Sequence, residues 1–310
     1  MLELYLVEPR GFCAGVERAI SIVEKAIEKY GSPIYVRHEI VHNQFVVEKL
    51  KSKGAIFVNE IDEIPKNAIV IFSAHGVSTK VEENAQQHHL KILDATCPLV
   101  TKVHLEAQIH ERKNREIILI GHHGHPEVEG TSGRVNKKVT IISSAQDVDK
   151  LHFSDNTDLA YVTQTTLSVD DTKNIIDKLK QKYPHIKGPE LKNICYATQN
   201  RQNAVKEMAK MIDMLIVIGA NNSSNSNRLR DIALELDKKS YLINNSKDID
   251  LEWFNDIKKI GITAGASAPE ELVQEVIDFL TNNFEIKIHH LKIIEENIKF
   301  NLPLELRGSF

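Results

Sequence analysis

Short apolar runs, rich in β-branched residues, alternate along the chain with longer segments in which apolar residues recur every three or four positions. The short runs have the length and composition of buried strands. They are LELYLV, PIYVRHEI, AIVIFSA, LKILDA, EIILIG, VTIIS, LAYVTQ, MLIVIGA, KSYLIN and IGITAG. Regular alternation of strands with helices predicts an α/β protein with mainly parallel sheets.

The longer segments carry signals for helix starts and stops. In AGVERAISIVEKAIEKYG, apolar side chains from Val16 to Tyr30 recur at helical spacing, and Gly31 is predicted to end the helix. Pro98 is predicted to begin the helix PLVTKVHLEAQIHERK, and Ser168 to cap SVDDTKNIIDKLKQKY. Further helices are predicted in NRQNAVKEMAKMID and ASAPEELVQEVIDFLTNNF.

Composition limits the classes of protein that this chain can represent. Its 310 residues are 42% hydrophobic, enough to bury a substantial core. No apolar stretch reaches the length of a membrane span, and the first residues lack the pattern of a signal peptide, so we expect a cytoplasmic protein without a membrane partner. A net charge of -4 gives no overall attraction to nucleic acid, and no nucleic-acid partner is expected.

The three cysteines mark an internal repeat. Each lies at a strand-to-helix junction, a second strand then ends in a polar residue, and a third strand ends in a hydroxyl or imidazole residue. In chain order the three sets are Cys13, His42 and His75; Cys97, His125 and Thr165; and Cys195, Asn225 and Ser267. Because open α/β sheets bind ligands beyond the carboxyl ends of their strands, we expect all nine positions to face one central cavity.

The repeat predicts three α/β domains of similar plan. Their predicted boundaries are 1–96, 97–194 and 195–282, followed by a tail, 283–310, that packs back on the first domain with ENIKFNLP as an added strand.

Three cysteines at equivalent strand ends are poor candidates for ordinary core residues, although a single buried cysteine usually is one. An odd number of cysteines in a reducing compartment also argues against a disulfide framework. Three converging thiolates are ligands for zinc or for an iron-sulfur cluster. Zinc sites usually bring cysteines in close pairs, and no CxxC occurs here, so the spacing ranks an iron-sulfur cluster only modestly above zinc.

The polar residues at the predicted strand ends narrow the ligand. His42, His75, Ser223, Asn225 and Ser267 would supply many hydrogen-bond donors close to helix N-termini, which suits a phosphate or a diphosphate.

The segment GHHGHPEVEGT carries a candidate proton donor. Glu127 follows the strand end closely, and a carboxyl group beside an apolar cavity can keep its proton at neutral pH. His125 and Thr165 are candidates to position or relay that proton. With a cluster as the source of electrons, this combination indicates a reductive reaction.

Several motifs resemble those of the 4-hydroxy-3-methylbut-2-enyl diphosphate reductases, which catalyse the last step of the methylerythritol phosphate pathway of isoprenoid biosynthesis. The motifs extend from about residue 3 to residue 307. They are PRGFCAGVERAI, YVRHEIVHN, FSAHGVS, DATCPLVTKVH, GHHGHPEVEGT, TQTTLSVDDT, ICYATQNRQ, NSSNSNRL and TAGASAP.

The resemblance implies a pseudo-threefold trefoil of three α/β domains around one [4Fe-4S] cluster held by Cys13, Cys97 and Cys195. It implies that one iron is open to the substrate, that Glu127 is the proton source, and that Thr165 lies near the substrate hydroxyl. It also implies reduction of the substrate to isopentenyl or dimethylallyl diphosphate, with electrons from a ferredoxin or a flavodoxin. The implied diphosphate-binding residues are His42, His75, His125, Ser223, Ser224, Asn225 and Ser267.

Two alternatives share part of the pattern. A zinc-dependent hydrolase of a phosphorylated metabolite would use the three thiolates and the anion pocket. A non-catalytic phosphometabolite-binding protein would use the pocket alone. Neither needs Glu127 together with three repeated thiols.

Overall fold

The computed structural model describes residues 1–154 and 156–307. Residues 308–310, the end of the predicted tail, lie outside the described residues. The strands are β1 (Leu2–Glu8), β2 (Ile34–Arg37), β3 (Ala55–Val58), β4 (Ile69–Phe72), β5 (Lys91–Asp94), β6 (Glu116–Ile120), β7 (Thr140–Ile142), β8 (Leu159–Thr163), β9 (Met214–Ile218), β10 (Lys239–Ile243), β11 (Lys259–Ala264) and β12 (Ile286–Lys292). The α-helices are α1 (Ala14–Tyr30), α2 (Gln44–Ser52), α3 (Thr79–Gln87), α4 (Pro98–Arg112), α5 (Pro126–Ser132), α6 (Ala145–Asp149), α7 (Val169–Lys182), α8 (Tyr196–Ala209), α9 (Ser224–Glu235) and α10 (Glu270–Asn283).

The strands form three sheets, in which the described strand pairs run parallel. The strand orders are β10-β9-β11-β1-β12, β3-β2-β4-β5 and β7-β6-β8. The prediction of an α/β protein with parallel sheets is therefore confirmed.

The chain divides into two compact units, each discontinuous in sequence. One contains the five-stranded sheet and the other contains the two smaller sheets. The first consists of Met1–Ala14, His42–Val46 and Tyr196–Lys299, and the second of Gly15–Val41, Val47–Cys195 and Phe300–Phe310. The division into domains at 1–96, 97–194 and 195–282 stays a prediction.

Strand β9 shows how the five-stranded sheet is buried. Met214, Ile216 and Ile218 contribute to a core shared with α10, whereas Leu215 and Val217 contribute to a core shared with α8 and α9. Because both faces are covered, the strand reads as a continuous apolar run without polar alternation. Its carboxyl end leads directly into the turn before α9, which carries predicted ligand-binding residues.

The predicted helix ends agree with the structure. Cys97 is the N-cap residue of α4 and Pro98 occupies its first turn. The Ser168 hydroxyl accepts a hydrogen bond from the Asp171 N–H at the start of α7. Gly31 has a φ of 77°, a conformation that favours glycine and stops α1.

Several short elements were not predicted, and one strand was predicted in the wrong place. The elements that were not predicted are β3, α2, α3, α5 and α6, which are too short to show a clear period. The strand predicted in ENIKFNLP is wrong, because residues 296–303 contain no strand. The added strand is β12, whose seven residues pair with β1 and precede that segment. In the described residues, no helix combines the length and apolarity that a bilayer crossing requires.

Candidate active site

The three cysteines occupy equivalent positions in the hydrogen-bonded framework. Each directly precedes a helix: Cys13 precedes α1, Cys97 caps α4, and Cys195 precedes α8. Each backbone N–H donates to the carbonyl of a residue two positions beyond the end of a strand, over 3.2, 3.0 and 3.0 Å respectively. The accepting residues are Ala266, Ala74 and Thr165. The repeat read from the sequence is thus also a repeat of backbone contacts, and it fixes each cysteine at a helix N-terminus, where a thiolate is stabilised.

Glu127 lies in the first turn of α5, with only 2% of its surface exposed. Its Oε1 accepts a hydrogen bond from the Thr165 N–H (2.6 Å), and its Oε2 accepts one from the Thr165 hydroxyl (2.9 Å). Burial raises the pKa of Glu127 to about 7, even though both hydrogen bonds from Thr165 favour the carboxylate and oppose that shift. The side chain therefore holds a proton that it can release near neutral pH.

Thr165 connects the acid to a cysteine. Its side chain and N–H contact Glu127, while its carbonyl accepts the hydrogen bond from the Cys195 N–H. Because the Thr165 N–H donates to Oε1, the proton of the neutral acid belongs on Oε2. In that form the Glu127 hydroxyl lies beside the Thr165 hydroxyl, which can then accept its proton. A hydroxyl can accept one proton and donate another, so Thr165 is placed to relay a proton.

His75 and His125 form a second part of this group. Their rings meet edge to face with centroids 5.9 Å apart. The Nδ1 atom of His125 accepts a hydrogen bond from the Glu127 N–H (3.1 Å), so in the neutral ring the proton lies on Nε2. Gly130 on α5 approaches the turn after His75 closely, because a Cβ there would lie 3.2 Å from the backbone of Gly76.

A separate group of predicted residues lies in the other unit. The Ser267 hydroxyl donates to the His42 carbonyl (2.9 Å), and the His42 Nδ1 atom lies 3.3 Å from the side-chain nitrogen of Asn222. Ser223 is the N-cap residue of α9, where its hydroxyl accepts a hydrogen bond from the Ser226 N–H. Ser224, the first residue of α9, is partly buried.

Asn225 is the clearest sign of a ligand in this second group. It is 4% exposed, and neither its side-chain nitrogen nor its side-chain oxygen has a hydrogen-bond partner among the described residues. A buried amide without partners costs about 1–3 kcal/mol. Such a cost is accepted in native proteins mainly where a ligand or water completes the hydrogen bonds.

Two glycines allow the start of α9 to reach the strand ends. A Cβ at Gly219 or at Gly265 would lie 2.2 or 2.0 Å from the Ser226 hydroxyl oxygen. Side chains at either position would push α9 away from β9 and β11. These close approaches were not predicted, because a sequence does not show which residues a glycine faces.

The three cysteines supply thiol side chains, whose thiolate forms are ligands for iron-sulfur clusters as well as for zinc. Zinc holds its thiolates at about 2.3 Å, which draws all of them close together. A four-iron cluster instead spreads soft thiolate ligands over different irons. Three partly buried cysteines at helix N-termini supply that chemistry.

His104, which the sequence analysis did not select, supports the turn that carries His75. A Cβ at Gly76 would lie 2.5 Å from the imidazole Cε1 atom of His104, and Gly76 has a φ of 78°. His104 is 4% exposed, and its Nε2 atom has no partner in the described part of the chain. Burial lowers the pKa of His104 to about 4; the charge of Arg134 acts in the same direction and that of Asp94 opposes it.

We expect His104 to make folding stability depend on pH. The unfolded chain takes up a proton at this histidine below about pH 6.5, whereas the folded chain resists until about pH 4. The free energy of unfolding therefore falls by about 3 kcal/mol through this group as the pH drops across that window. Glu127 acts with the opposite sign, because its raised pKa contributes stability that is lost as the pH rises towards 7.

The measurement compares urea unfolding of the wild type and His104→Leu between pH 7.5 and pH 4, so that the contribution of Glu127 cancels. His152→Leu, at an exposed histidine, is the control. We expect the difference between the wild type and His104→Leu to change with pH, and the difference for the control to stay constant. A constant difference for both variants contradicts the prediction.

Comparisons with known proteins place the chain in a family. Residues 4–281 match the LytB protein family. A Bradyrhizobium diazoefficiens protein, 4-hydroxy-3-methylbut-2-enyl diphosphate reductase 2, is 54% identical over 308 residues, 99% of this chain and 100% of its own length. A Haemophilus influenzae 4-hydroxy-3-methylbut-2-enyl diphosphate reductase is 55% identical over 309 residues, 99% of this chain and 98% of its own length.

A solved structure agrees with these relatives. The E-1-hydroxy-2-methyl-but-2-enyl-4-diphosphate reductase from Plasmodium falciparum superposes with a TM-score of 0.96 at 42% identity, covering 98% of this chain and 96% of that one. With a family match over residues 4–281 and relatives more than half identical across nearly the whole chain, this protein belongs to the LytB protein family.

Proposed function

We propose that this chain is a 4-hydroxy-3-methylbut-2-enyl diphosphate reductase, an oxidoreductase of the last step of the methylerythritol phosphate pathway. It removes the hydroxyl of (E)-4-hydroxy-3-methylbut-2-enyl diphosphate as water, with two electrons and two protons, and yields isopentenyl and dimethylallyl diphosphate. The relatives carry the name of this reaction. The observation that carries the proposal within this chain is the connection from the Glu127 carboxyl through Thr165 to the backbone of Cys195.

The proposed cofactor is one [4Fe-4S] cluster per chain, held by Cys13, Cys97 and Cys195. When bound, it supplies electrons one at a time and an iron position open to substrate. The helix N-terminus at each cysteine stabilises the thiolate form that iron requires.

Proton delivery is the task of Glu127 and Thr165. An allylic hydroxyl is a poor leaving group, so it must be protonated as its bond to carbon breaks. Glu127 holds the proton on Oε2, Thr165 receives it and passes on its own hydroxyl proton, and the buried position of both residues keeps water from competing. His125 orients this acid through the hydrogen bond from the Glu127 N–H.

The diphosphate anchors the substrate by its charged end, which converts binding energy into orientation of the hydroxyl. Neutral donors, histidines and the N-terminus of α9 supply the favourable electrostatics. The proposed binding residues are His42, His75, His125, Thr165, Ser223, Ser224, Asn225 and Ser267.

The electron donor that we propose is a ferredoxin or a flavodoxin, since both deliver single electrons at low potential. A cytoplasmic location, and the lack of nucleic-acid and membrane partners, stay predictions from the sequence.

Replacing Asn225 with alanine is expected to raise KM about tenfold or more, because the diphosphate loses a buried donor. The same variant should match or exceed the wild type in thermal stability, since it removes a buried amide that has no partner in the substrate-free chain. Asn283→Ala, at the exposed end of α10, is the control and should leave KM unchanged. A wild-type KM in Asn225→Ala would remove this residue from the binding set.

Anaerobic purification with iron and sulfide analysis tests the proposed function. We expect about four irons per chain and a broad brown absorbance that dithionite bleaches. Addition of the hydroxylated diphosphate to the reduced protein should restore the absorbance as substrate is consumed. A colourless protein with stoichiometric zinc would favour the hydrolase instead. A protein that binds the diphosphate without metal and does not turn it over would favour the binding protein.

A further inference from the structure

A cationic residue follows each cysteine of the repeat by five or six positions. Arg18, Lys102 and Arg201 lie on the second turn of the helices that follow Cys13, Cys97 and Cys195. Each side chain donates hydrogen bonds to backbone carbonyls in the turn directly before another cysteine. The pattern is cyclic: Arg18 contacts the turn before Cys97, Lys102 the turn before Cys195, and Arg201 the turn before Cys13.

Arg201 is the most fully buried of the three, with none of its surface exposed. Its Nε and Nη2 atoms both donate to the Gly11 carbonyl, over 3.1 and 2.7 Å, and Nη2 also donates to the Phe12 carbonyl over 3.3 Å. These are the two residues before Cys13. Glu296 balances the charge, with an oxygen 3.1 Å from Nη1.

Arg18 performs the same task for Cys97. It donates to the carbonyls of Asp94 (3.3 Å) and Thr96 (3.0 Å), and to that of Asn301 (2.9 Å). No carboxylate forms an ion pair with Arg18 in the described residues, and the Cys97 side chain lies within electrostatic range of the guanidinium. Of the charges that act on Arg18, that of Asp94 has the largest effect and that of Cys97 comes next, so the guanidinium acts on the cysteine alongside a carboxylate.

Lys102 completes the set with a weaker contact. Its Nζ atom donates to the Lys192 carbonyl, three residues before Cys195, over 3.2 Å. Asn193, in the same turn, donates to the Glu106 carboxylate and accepts from the Thr163 N–H. The turn before Cys195 is thus held mainly by its own asparagine.

Taking a guanidinium out of water is expensive, and hydrogen bonds to carbonyls repay that cost only when the geometry is fixed. A gain in folding stability alone therefore does not explain why Arg201 is buried. All three cations share one feature: each contacts a turn that leads into a cysteine.

We propose that Arg18 and Arg201, with Lys102 in a lesser role, are positioning residues that hold the cysteine turns in the geometry the cluster requires. The inference rests on the proposed function, because it assumes that the cysteines bind the cluster. Arg18 has a second effect, since its charge favours the reduced, more negative cluster and raises the reduction potential.

The test uses full-length protein reconstituted anaerobically with iron and sulfide. The variants are Arg18→Gln, Arg18→Lys, Arg201→Gln and Arg201→Lys, and the control is Arg112→Gln, at an exposed arginine on α4. Loss of the visible absorbance is followed in excess iron chelator, and the reduction potential is measured by dye-equilibrated titration. The melting temperature of the cluster-free protein is recorded separately.

We expect both glutamine variants to lose the cluster about 10- to 100-fold faster than the wild type, as for other residues that support metal ligands. The lysine variants should recover part of that retention. Arg18→Gln should also lower the reduction potential, whereas Arg18→Lys and Arg112→Gln should not. A purely structural role would lower the melting temperature and leave the potential of the remaining cluster unchanged.

Wild-type cluster retention and potential in Arg18→Gln and Arg201→Gln would overturn the inference. If Arg201→Gln does not fold, the test rests on Arg18→Gln and Arg201→Lys. Arg18 is partly exposed, so its replacement should be tolerated, and Arg201→Lys keeps the buried positive charge. A wild-type protein that takes up no cluster would refute the proposed function itself, so the two failures are distinguishable.

Discussion

Replacing Glu127 with glutamine is expected to lower kcat by about 10²- to 10⁴-fold, with the cluster content and KM unchanged. Glutamine keeps the size of the side chain and can still accept the Thr165 N–H at its carbonyl oxygen, so the local structure should persist. It cannot release a proton. The loss should therefore appear in turnover and not in binding.

The pH dependence gives an independent check of the same role. Because burial raises the pKa of Glu127 to about 7, the protonated form is present below that pH and kcat should fall as the pH rises above it. Thr165→Val removes the hydroxyl hydrogen bond that favours the carboxylate, so it should move this fall to higher pH while lowering kcat.

Glu129→Gln is the matched control, because Glu129 lies on the same helix but is exposed. It should retain wild-type kcat and the wild-type pH profile. Near-normal turnover in Glu127→Gln would refute the proton-donor role, whatever the result for the control.

The sequence predicted the parts of this protein that depend on local pattern. Strand β9 was recognisable as MLIVI because both of its faces are buried, and α4 because Pro98 follows a capping position. The cysteine repeat predicted strand-to-helix junctions, which the structure confirms for Cys13, Cys97 and Cys195.

Contacts between distant residues were not predictable in the same way. The hydrogen bond from Arg201 to Gly11 joins residues that lie 190 positions apart, and no local period marks an arginine that will be buried. The burial of Asn225 without hydrogen-bond partners and the contact between Gly76 and His104 also depend on residues that are distant in sequence. Motif spacing predicted the site residues, whereas the structure was needed to show which distant residues contact them.

The group around Glu127 also shows why one threonine has several tasks. Thr165 donates both its N–H and its hydroxyl to the acid and offers its carbonyl to Cys195. A shift of the cysteine backbone would therefore move the proton donor with it. In the proposed mechanism, this coupling keeps the proton donor aligned with the cluster that supplies the electrons.

Serine in place of any one cysteine is expected to abolish most of the cluster absorbance and reduce activity to background. A serine hydroxyl is a harder ligand than a thiolate and is not ionised at neutral pH, so it holds iron poorly. The chain has three cysteines and no fourth to replace a missing ligand. Iron content, sulfide content and the visible spectrum of Cys13→Ser, Cys97→Ser and Cys195→Ser measure the loss.

The three variants control for one another, because the repeat assigns the same role to each position. Equal losses support a cluster held by all three cysteines, and the cluster-free proteins should keep wild-type melting temperatures if the cysteines do not serve as core residues. An intact spectrum in one variant would remove that cysteine from the ligand set. Intact spectra in all three would leave the family membership standing and refute the proposed cofactor site, because only the site depends on these thiols.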